Sequence, residues 1–199
     1  MKITNAQLDT LKELINIGIG RAASLLHEIL DSHVRLQVPS LKIVQSPHSE
    51  NEIEKFGTGR LASVKLDFSG SLSGSALLTF PPDSAAKLVK VLTEEGSESS
   101  DMDSVRIGVL SEVGNIVING IMGSIGNLLK IPIAYSIPFY LESTLANLIS
   151  PNATLLIAKI RFDVQQFHIQ GDIFLIFEVG SFNRLKSALD TINKAVGVE

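Results

Sequence analysis

The chain has 199 residues, of which 45% are hydrophobic and 19% are charged, a balance typical of one or two globular domains. It contains no cysteine, which excludes a disulfide framework and catalysis by a thiol. Its net charge of -4 gives no indication of the basic surface that binds nucleic acid.

The first predicted element is an amphipathic helix that begins at Thr4, because Thr4 and Gln7 have the spacing of a capping box. Apolar residues recur along it at the spacing of a helix that lies on a core: Leu11, Leu14, Ile15, Ala22, Leu25, Leu26 and Ile29. The other face carries a polar stripe: Asp9, Glu13, Asn16 and Gly20. Since no apolar signal segment precedes this helix, we expect a cytoplasmic protein.

Two half-buried strands and a second helix are predicted next. Val64 to Phe68 alternates apolar and polar residues, Ser69 to Ser71 has the composition of a hairpin turn, and Ser73 to Phe80 continues as a strand. Two prolines and Asp83 then open a helix. The acidic, serine-rich segment 94–101 lacks apolar residues and is predicted to be an exposed linker.

A second long helix is predicted to begin at Asp103 or Ser104, either of which can cap it. Its expected buried face is apolar: Ile107, Leu110, Val113, Val117, Ile121 and Ile125. Its polar stripe is Gly108, Glu112, Asn115 and Asn119. Glycines toward its end indicate close packing rather than a phosphate loop, because no strand precedes them: Gly120, Gly123 and Gly126.

The stretch 116–141 is the most apolar in the chain, yet polar residues and two prolines interrupt it. We therefore predict a buried helix followed by an extended segment rather than a membrane span. Residues 141–148 are predicted to form a short surface helix. Strands follow at 158–162 and 170–177, and a last helix begins at Ser181.

The same pattern occurs twice in the chain. Glu13-x-x-Asn16 and Glu112-x-x-Asn115 lie 99 residues apart, and 22 residues separate each asparagine from a proline, Pro39 or Pro138. We expect these prolines to shape the chain after each long helix. The sequence thus predicts one α+β domain, 1–199, made of two repeats, 1–93 and 102–199. A pseudo-twofold relates the repeats, and their two long helices pack with a shared, mainly antiparallel sheet.

Residues three apart on a helix lie on one face, so each Glu and Asn can act on the same target. Either pair alone is more often a solvated helix face, but the repetition with a matched proline favours a functional site. Other chemistries have little support, because the four histidines lack metal-ligand spacing and the chain has no Gly-x-Ser-x-Gly elbow and no Walker motif. We expect no cofactor or metal bound by this chain.

The two Glu-x-x-Asn helices and their prolines resemble the CheC/CheX/FliY family of bacterial chemotaxis, whose pattern also places Asp or Ser four residues before the glutamate. Asp9 matches that position, whereas Gly108 departs from it in the second copy. Two interpretations of this departure stay open: the first site is the better enzyme, or the carboxylate at this position matters little. The resemblance covers essentially the whole chain, and two matched sites favour the CheC-like branch of the family.

This resemblance implies a phosphatase that hydrolyses the aspartyl phosphate of a CheY-type response regulator. Asn16 and Asn115 would orient the attacking water, since a carboxamide accepts from and donates to water without a repelling charge. Glu13 and Glu112 would dock to the regulator's lysine. The auxiliary candidates are Asp9 and Asn119. Mg²⁺ is expected in the regulator rather than in this chain, and the receptor deamidase CheD is a further partner to test.

Two alternatives stay open. A non-catalytic module would bind a response regulator or CheD and leave the regulator's phosphorylated lifetime unchanged. A structural subunit of a flagellar switch would assemble with motor proteins and expose a hydrophobic patch.

Overall fold

A computed structural model of the chain describes residues 3–44, 57–93, 102–149, 155–178 and 182–196. The first half contains α1 (Asn5–Leu30), β1 (Val34–Val44), β2 (Arg60–Gly70), β3 (Gly74–Phe80) and α2 (Pro82–Leu92). The second half contains α3 (Met102–Leu129), β4 (Ile133–Tyr135), β5 (Phe139–Thr144), the short α4 (Leu145–Leu148), β6 (Leu155–Val164), β7 (Ile169–Glu178) and α5 (Phe182–Val196). The predicted α+β class is confirmed.

The two long helices have well-defined ends. At the start of α1, Thr4 Oγ1 accepts from the Gln7 backbone N–H at 3.2 Å and Gln7 Oε1 accepts from the Thr4 N–H at 3.0 Å, so the predicted capping box is present. The left-handed residues Asp31 (φ 43°) and Lys130 (φ 54°) directly follow α1 and α3. The predicted cap of α3 is wrong, because the helix already begins at Met102 and Asp103 lies inside its first turn, as does Ser104.

One antiparallel sheet joins the two halves of the described chain. Its order is β1-β6-β7-β3-β2, and β4 and β5 both pair with the outer side of β2. Each half supplies a hairpin, β2–β3 or β6–β7, and the hairpins meet where β3 pairs with β7. The strand that follows each long helix pairs with the hairpin of the other half. This order supports the duplication, which stays a prediction.

Both motif prolines lie where an outer strand is irregular. The pairing of β1 with β6 shifts register between Gln37 and Ser40, and Pro39 falls within that shift. Pro138 falls between β4 and β5, which together follow α3 as β1 follows α1. Proline has no N–H to donate to a strand ladder, so a bulge or break at the sheet edge tolerates it. The positions agree with the structural role expected for both residues.

The main core lies between one face of the sheet and the helices α1, α2, α3 and α5. A smaller cluster lies on the opposite face, where Leu145 and Leu148 of α4 pack near Leu77 and Phe174. The predicted surface helix at 141–148 is therefore wrong. Its first residues belong to β5, and the helical remainder buries both of its leucines because they cover the centre of the sheet.

Three residues expected in the core are exposed instead. Leu25, Ile29 and Ile107 are each 42% exposed. On α1, the buried row continues through Leu26 and Leu30, so the residues one position earlier turn toward solvent. On α3, the buried face begins only at Leu110, one turn after Ile107.

The segment 94–101 and Ser181 lie outside the described residues. Within the described ranges, the helix Asp103–Leu129 is long and apolar enough to cross a membrane by length and composition alone. In the structure its apolar side packs against α1, β2 and β3, with Val117, Ile118 and Ile121 fully buried. The predicted buried helix followed by extended chain is confirmed, since α3 leads into β4 and β5.

Candidate functional site

The first Glu–Asn pair stands on the outer surface of α1. Glu13 and Asn16 are both exposed, while Leu14 and Ile15 between them are buried and fix the helix on the core. Each long helix therefore turns its polar residues outward because its apolar residues take the opposite side. Asp9, one turn earlier, is also exposed, and its Oδ1 lies 3.2 Å from Lys12 Nζ.

The second pair occupies the corresponding surface of α3. Glu112 is exposed and Asn115 is half-buried. Between them, Gly114 faces the sheet so closely that a Cβ there would lie 2.6 Å from Val64 Cγ1 of β2. This contact fixes the height of α3 above the sheet at the level of the pair, and the sequence pattern does not reveal it.

The two helices that carry the pairs contact each other directly. A Cβ on Gly18 of α1 would lie 2.8 Å from the carbonyl oxygen of Ile121, and a Cβ on Gly120 of α3 would lie 3.4 Å from Ala22 Cα. The close packing predicted for the glycines of α3 holds for Gly120 and for Gly126, where a Cβ would lie 3.2 Å from Ile133 Cδ1 of β4. A Cβ on Gly123, by contrast, meets nothing within 4 Å. The two pairs therefore belong to one packed helical layer.

The two stripes differ one turn after the asparagine. In α3, Asn119 Nδ2 donates to Asn115 Oδ1 at 2.6 Å. In α1, the residue in that position is Gly20, where a Cβ would meet nothing within 4 Å. Among the described residues, Asn16 has no hydrogen-bonded side-chain partner. The carboxamide of Asn115 is therefore held by a neighbouring side chain, whereas that of Asn16 is not.

A charged cluster that the sequence did not predict ties the start of α3 to β5. Arg106 Nη2 lies 3.1 Å from Glu142 Oε1, and Tyr140 donates its hydroxyl hydrogen to the same oxygen at 2.6 Å. Arg60 Nε lies 3.5 Å from Glu142 Oε2. Burial, followed by the hydrogen bond to Glu142, raises the pKa of Tyr140 to about 12. That hydrogen bond, with Arg106 and Arg60, holds the pKa of Glu142 below its ordinary value.

The arrangement is an open helical surface that presents two carboxylate–carboxamide pairs. Such a surface suits a reacting group that another protein carries, since the asparagines and glutamates are reachable without entering a cleft. Within the described ranges, no group of three or more His, Asp and Glu side chains is placed to hold a metal ion.

Two family matches cover the two motifs. Residues 7–43 match the "CheC-like family" and residues 62–158 match "Chemotaxis phosphatase CheX". The CheY-P phosphatase CheC of Bacillus subtilis (strain 168) is 28% identical over 144 residues, which are 68% of this chain and 66% of that relative's length. The chain is thus similar in sequence to the CheC-like and CheX branches of the CheC/CheX/FliY family. The resemblance inferred from the motifs is thereby confirmed.

Solved structures of the CheC/CheX/FliY family share the fold. The crystal structure of Thermotoga maritima FliY has a TM-score of 0.75 and 16% identity, covering 96% of this chain and 99% of that one. CheX in the CheX-CheY-BeF3-Mg²⁺ complex from Borrelia burgdorferi has a TM-score of 0.55 and 18% identity, covering 82% of this chain and 97% of that one. At these identities the likeness concerns the fold.

Proposed function

We propose that the chain hydrolyses the aspartyl phosphate of a CheY-type response regulator, with Asn16 and Asn115 orienting water and Glu13 and Glu112 docking to the regulator. The observation that carries the proposal is the display of two Glu–Asn pairs on the outer surface of two packed helices. A CheC named as a CheY-P phosphatase and a CheX crystallised with CheY support the choice of substrate.

The chemistry requires little more than positioning. The oxygen of a water attacks phosphorus, the bond from phosphorus to the aspartyl oxygen breaks, and the aspartate leaves as a carboxylate while inorganic phosphate is released. Holding water in line is worth up to about 7–11 kcal/mol of orientation free energy. The carboxamides of Asn16 and Asn115 suit this role because they can accept from water and remain neutral beside the anionic phosphoryl group.

The glutamates have a different part in the proposal. Glu13 and Glu112 are exposed, and each lies one turn from its asparagine, so a lysine of the regulator that pairs with the carboxylate brings the phosphoryl group toward the carboxamide. An exposed ion pair contributes little affinity but fixes orientation. Mg²⁺ belongs to the regulator in this proposal and needs no ligand from this chain.

Asp9 has a minor part. Its carboxylate is exposed and lies near Lys12, and the second copy has Gly108 in the equivalent position. A site that works with either residue cannot depend on this carboxylate for its chemistry. We assign Asp9 to long-range attraction of the regulator.

The test is the decay of a phosphorylated CheY-type regulator with and without this protein in the presence of Mg²⁺. Asn16→Ala and Asn115→Ala should each slow the decay, and the double variant should return it to the rate of the regulator alone. Matched controls are Asn127→Ala and Glu28→Ala, which remove an exposed polar side chain from the same two helices. A double variant as fast as the parent would overturn the assignment.

The same assay distinguishes a non-catalytic module. A module would bind the regulator, measured by calorimetry, and leave its phosphorylated lifetime unchanged. CheD is tested as a further partner by adding it to the decay assay and to the binding measurement. A change in the rate of decay of the phosphorylated regulator would place CheD in the same pathway.

A further inference from the structure

The two halves differ most in what contacts the asparagine of each pair. Asn115 is half-buried and its Oδ1 accepts a hydrogen bond of 2.6 Å from Asn119 Nδ2. Asn16 is exposed, and the residue four positions later is Gly20. Four residues correspond to about one helical turn, so Asn119 is stacked on Asn115 where α1 has empty space.

We infer that Asn119 is a positioning residue that fixes the carboxamide of Asn115 and makes the second site the more efficient of the two. The inference rests on the proposed function and deepens it. A carboxamide oxygen has two lone pairs and its nitrogen carries two hydrogens. With one lone pair engaged by Asn119, the carboxamide keeps one acceptor and two donors, all in a fixed plane.

A fixed carboxamide favours turnover for an entropic reason. An exposed asparagine samples several orientations, and only some of them place its oxygen toward the attacking water. Asn16 must be ordered anew in each encounter with the regulator, whereas Asn115 is already ordered before it arrives. The hydrogen bond also polarises the amide and strengthens its N–H donors. Pre-organisation of this kind acts on kcat rather than on KM.

The test isolates each site and then removes or transplants the contact. Asn16→Ala leaves the second site alone, and Asn115→Ala leaves the first alone. In the Asn16→Ala background, Asn119→Ala should lower kcat about fivefold, the ratio that corresponds to one net hydrogen bond of about 1 kcal/mol, while KM is unchanged. Asn119→Gln, which keeps an N–H donor, should recover part of the loss.

The second experiment introduces the same contact into the first site and is the more decisive of the two. In the Asn115→Ala background, Gly20→Asn supplies the missing donor at an open position of α1 and should raise kcat of the first site. Gly20→Ala is the matched control, because it adds a Cβ and raises helix propensity but offers no donor. It should give no comparable increase.

Each outcome decides one point. If Asn119→Ala leaves kcat unchanged, or moves KM instead, the inference is wrong and Asn119 is a surface or docking residue. If Gly20→Ala raises kcat as much as Gly20→Asn, helix stability is the cause and the inference is again wrong. If the parent protein itself leaves the regulator's decay unchanged, the proposed function fails, which the parent assay shows before any variant is made.

Discussion

Gly18 of α1 lies against the backbone of Ile121 of α3, and there is no room for a side chain between them. A Cβ on Gly18 would approach the Ile121 carbonyl oxygen to 2.8 Å and its Cα to 2.9 Å. Backbone cannot rotate away as a side chain can, so any larger residue must separate the two helices. The spacing of the two candidate sites depends on this contact.

Gly18→Ala should therefore destabilise the fold by about 1–3 kcal/mol, the usual cost of overpacking, despite the better helix propensity of alanine. Gly20→Ala on the same helix is the matched control, because its Cβ meets nothing within 4 Å and should stabilise by up to about 1 kcal/mol. Urea unfolding of the two variants and the parent measures both effects. A Gly18→Ala protein as stable as the Gly20→Ala protein would contradict the close contact.

Two aromatic pairs occupy matching places in the fold, and each pair joins one half to the other. Phe68 meets Phe177 with ring centroids 5.6 Å apart, and Phe162 meets Phe80 at 5.2 Å, both edge to face. Phe68 pairs across the hairpin with Gly74, as Phe162 does with Gly171. A Cβ on Gly171 would approach Phe80 Cδ1 to 2.5 Å, so the glycine makes room for the ring.

If the halves are repeats, the two aromatic pairs should contribute alike. Double-mutant cycles with leucine at Phe68 and Phe177, and at Phe80 and Phe162, should give coupling free energies of about 0.5–1.5 kcal/mol for both pairs. Urea unfolding supplies the four free energies of each cycle. Coupling in one pair and none in the other would show that the repeated sequence has diverged in its packing.

The cluster at the start of α3 predicts a pH dependence of stability. The pKa of Glu142 is lowered in the folded state by its hydrogen bond from Tyr140 and by Arg106 and Arg60. Its contribution to stability is therefore fully present above the unfolded pKa and is lost as the pH falls through the lower, folded pKa. Glu142→Gln should be less stable than the parent at neutral pH, by less than about 1 kcal/mol for so exposed a group, and the difference should vanish in acid.

Chemical denaturation of the parent and Glu142→Gln across the acid range measures this difference. Glu28→Gln, which removes the charge of an exposed glutamate of α1, is the control for the loss of one surface carboxylate. A difference between parent and Glu142→Gln that persists in strong acid would mean that the substitution acts through packing rather than charge.

The two tyrosines of the chain allow a direct optical test of the same cluster. In a Tyr135→Phe protein, the absorbance of tyrosinate reports Tyr140 alone and should titrate at about 12, because burial and the bond to Glu142 oppose ionisation. Glu142→Gln should lower that midpoint, since the neighbouring negative charge is gone. A Tyr140 midpoint near the ordinary value of the residue would contradict the geometry of the cluster.

Local patterns predicted much of this structure. The capping box at Thr4, the apolar periodicity of α1 and α3 and the alternation in β2 each involve residues close in sequence, which is why the pattern is sufficient. The outward direction of Glu13 and Glu112 followed from the same periodicity. The surface helix at 141–148 failed because its leucines belong to a second, smaller core that only the assembled sheet creates.

Sequence patterns did not predict the features that depend on pairing between strands far apart in the chain. Nothing near Arg106 indicates that Glu142 will lie beside it, because β5 comes to that place only by pairing with β2 of the other half. Periodicity likewise does not say where a helix loses its neighbour, and Ile107 is exposed because the buried face of α3 begins only at Leu110. The i, i+4 rule predicts that the side chains of Asn119 and Asn115 can contact each other. It does not say that Asn119 donates the hydrogen bond and Asn115 accepts it.

The separate roles proposed for glutamate and asparagine predict different kinetic effects. Glu13→Gln with Glu112→Gln keeps the size and surface position of both side chains but removes the charge that pairs with a lysine. KM for the phosphorylated regulator should rise about two- to fivefold, as expected for exposed ion pairs, with a smaller change in kcat. Asn16→Ala with Asn115→Ala should instead abolish kcat.

Salt provides the internal control for that assignment. At about 20 mM salt the charge pairs act over a longer distance than at about 500 mM, so the parent's KM should rise with salt and the KM of the double glutamine variant should rise less. The two proteins should converge at high salt. A glutamine variant with unchanged KM and a reduced kcat would show that the carboxylates act on the transition state, because docking alone changes the affinity for the regulator and leaves the bound chemistry intact.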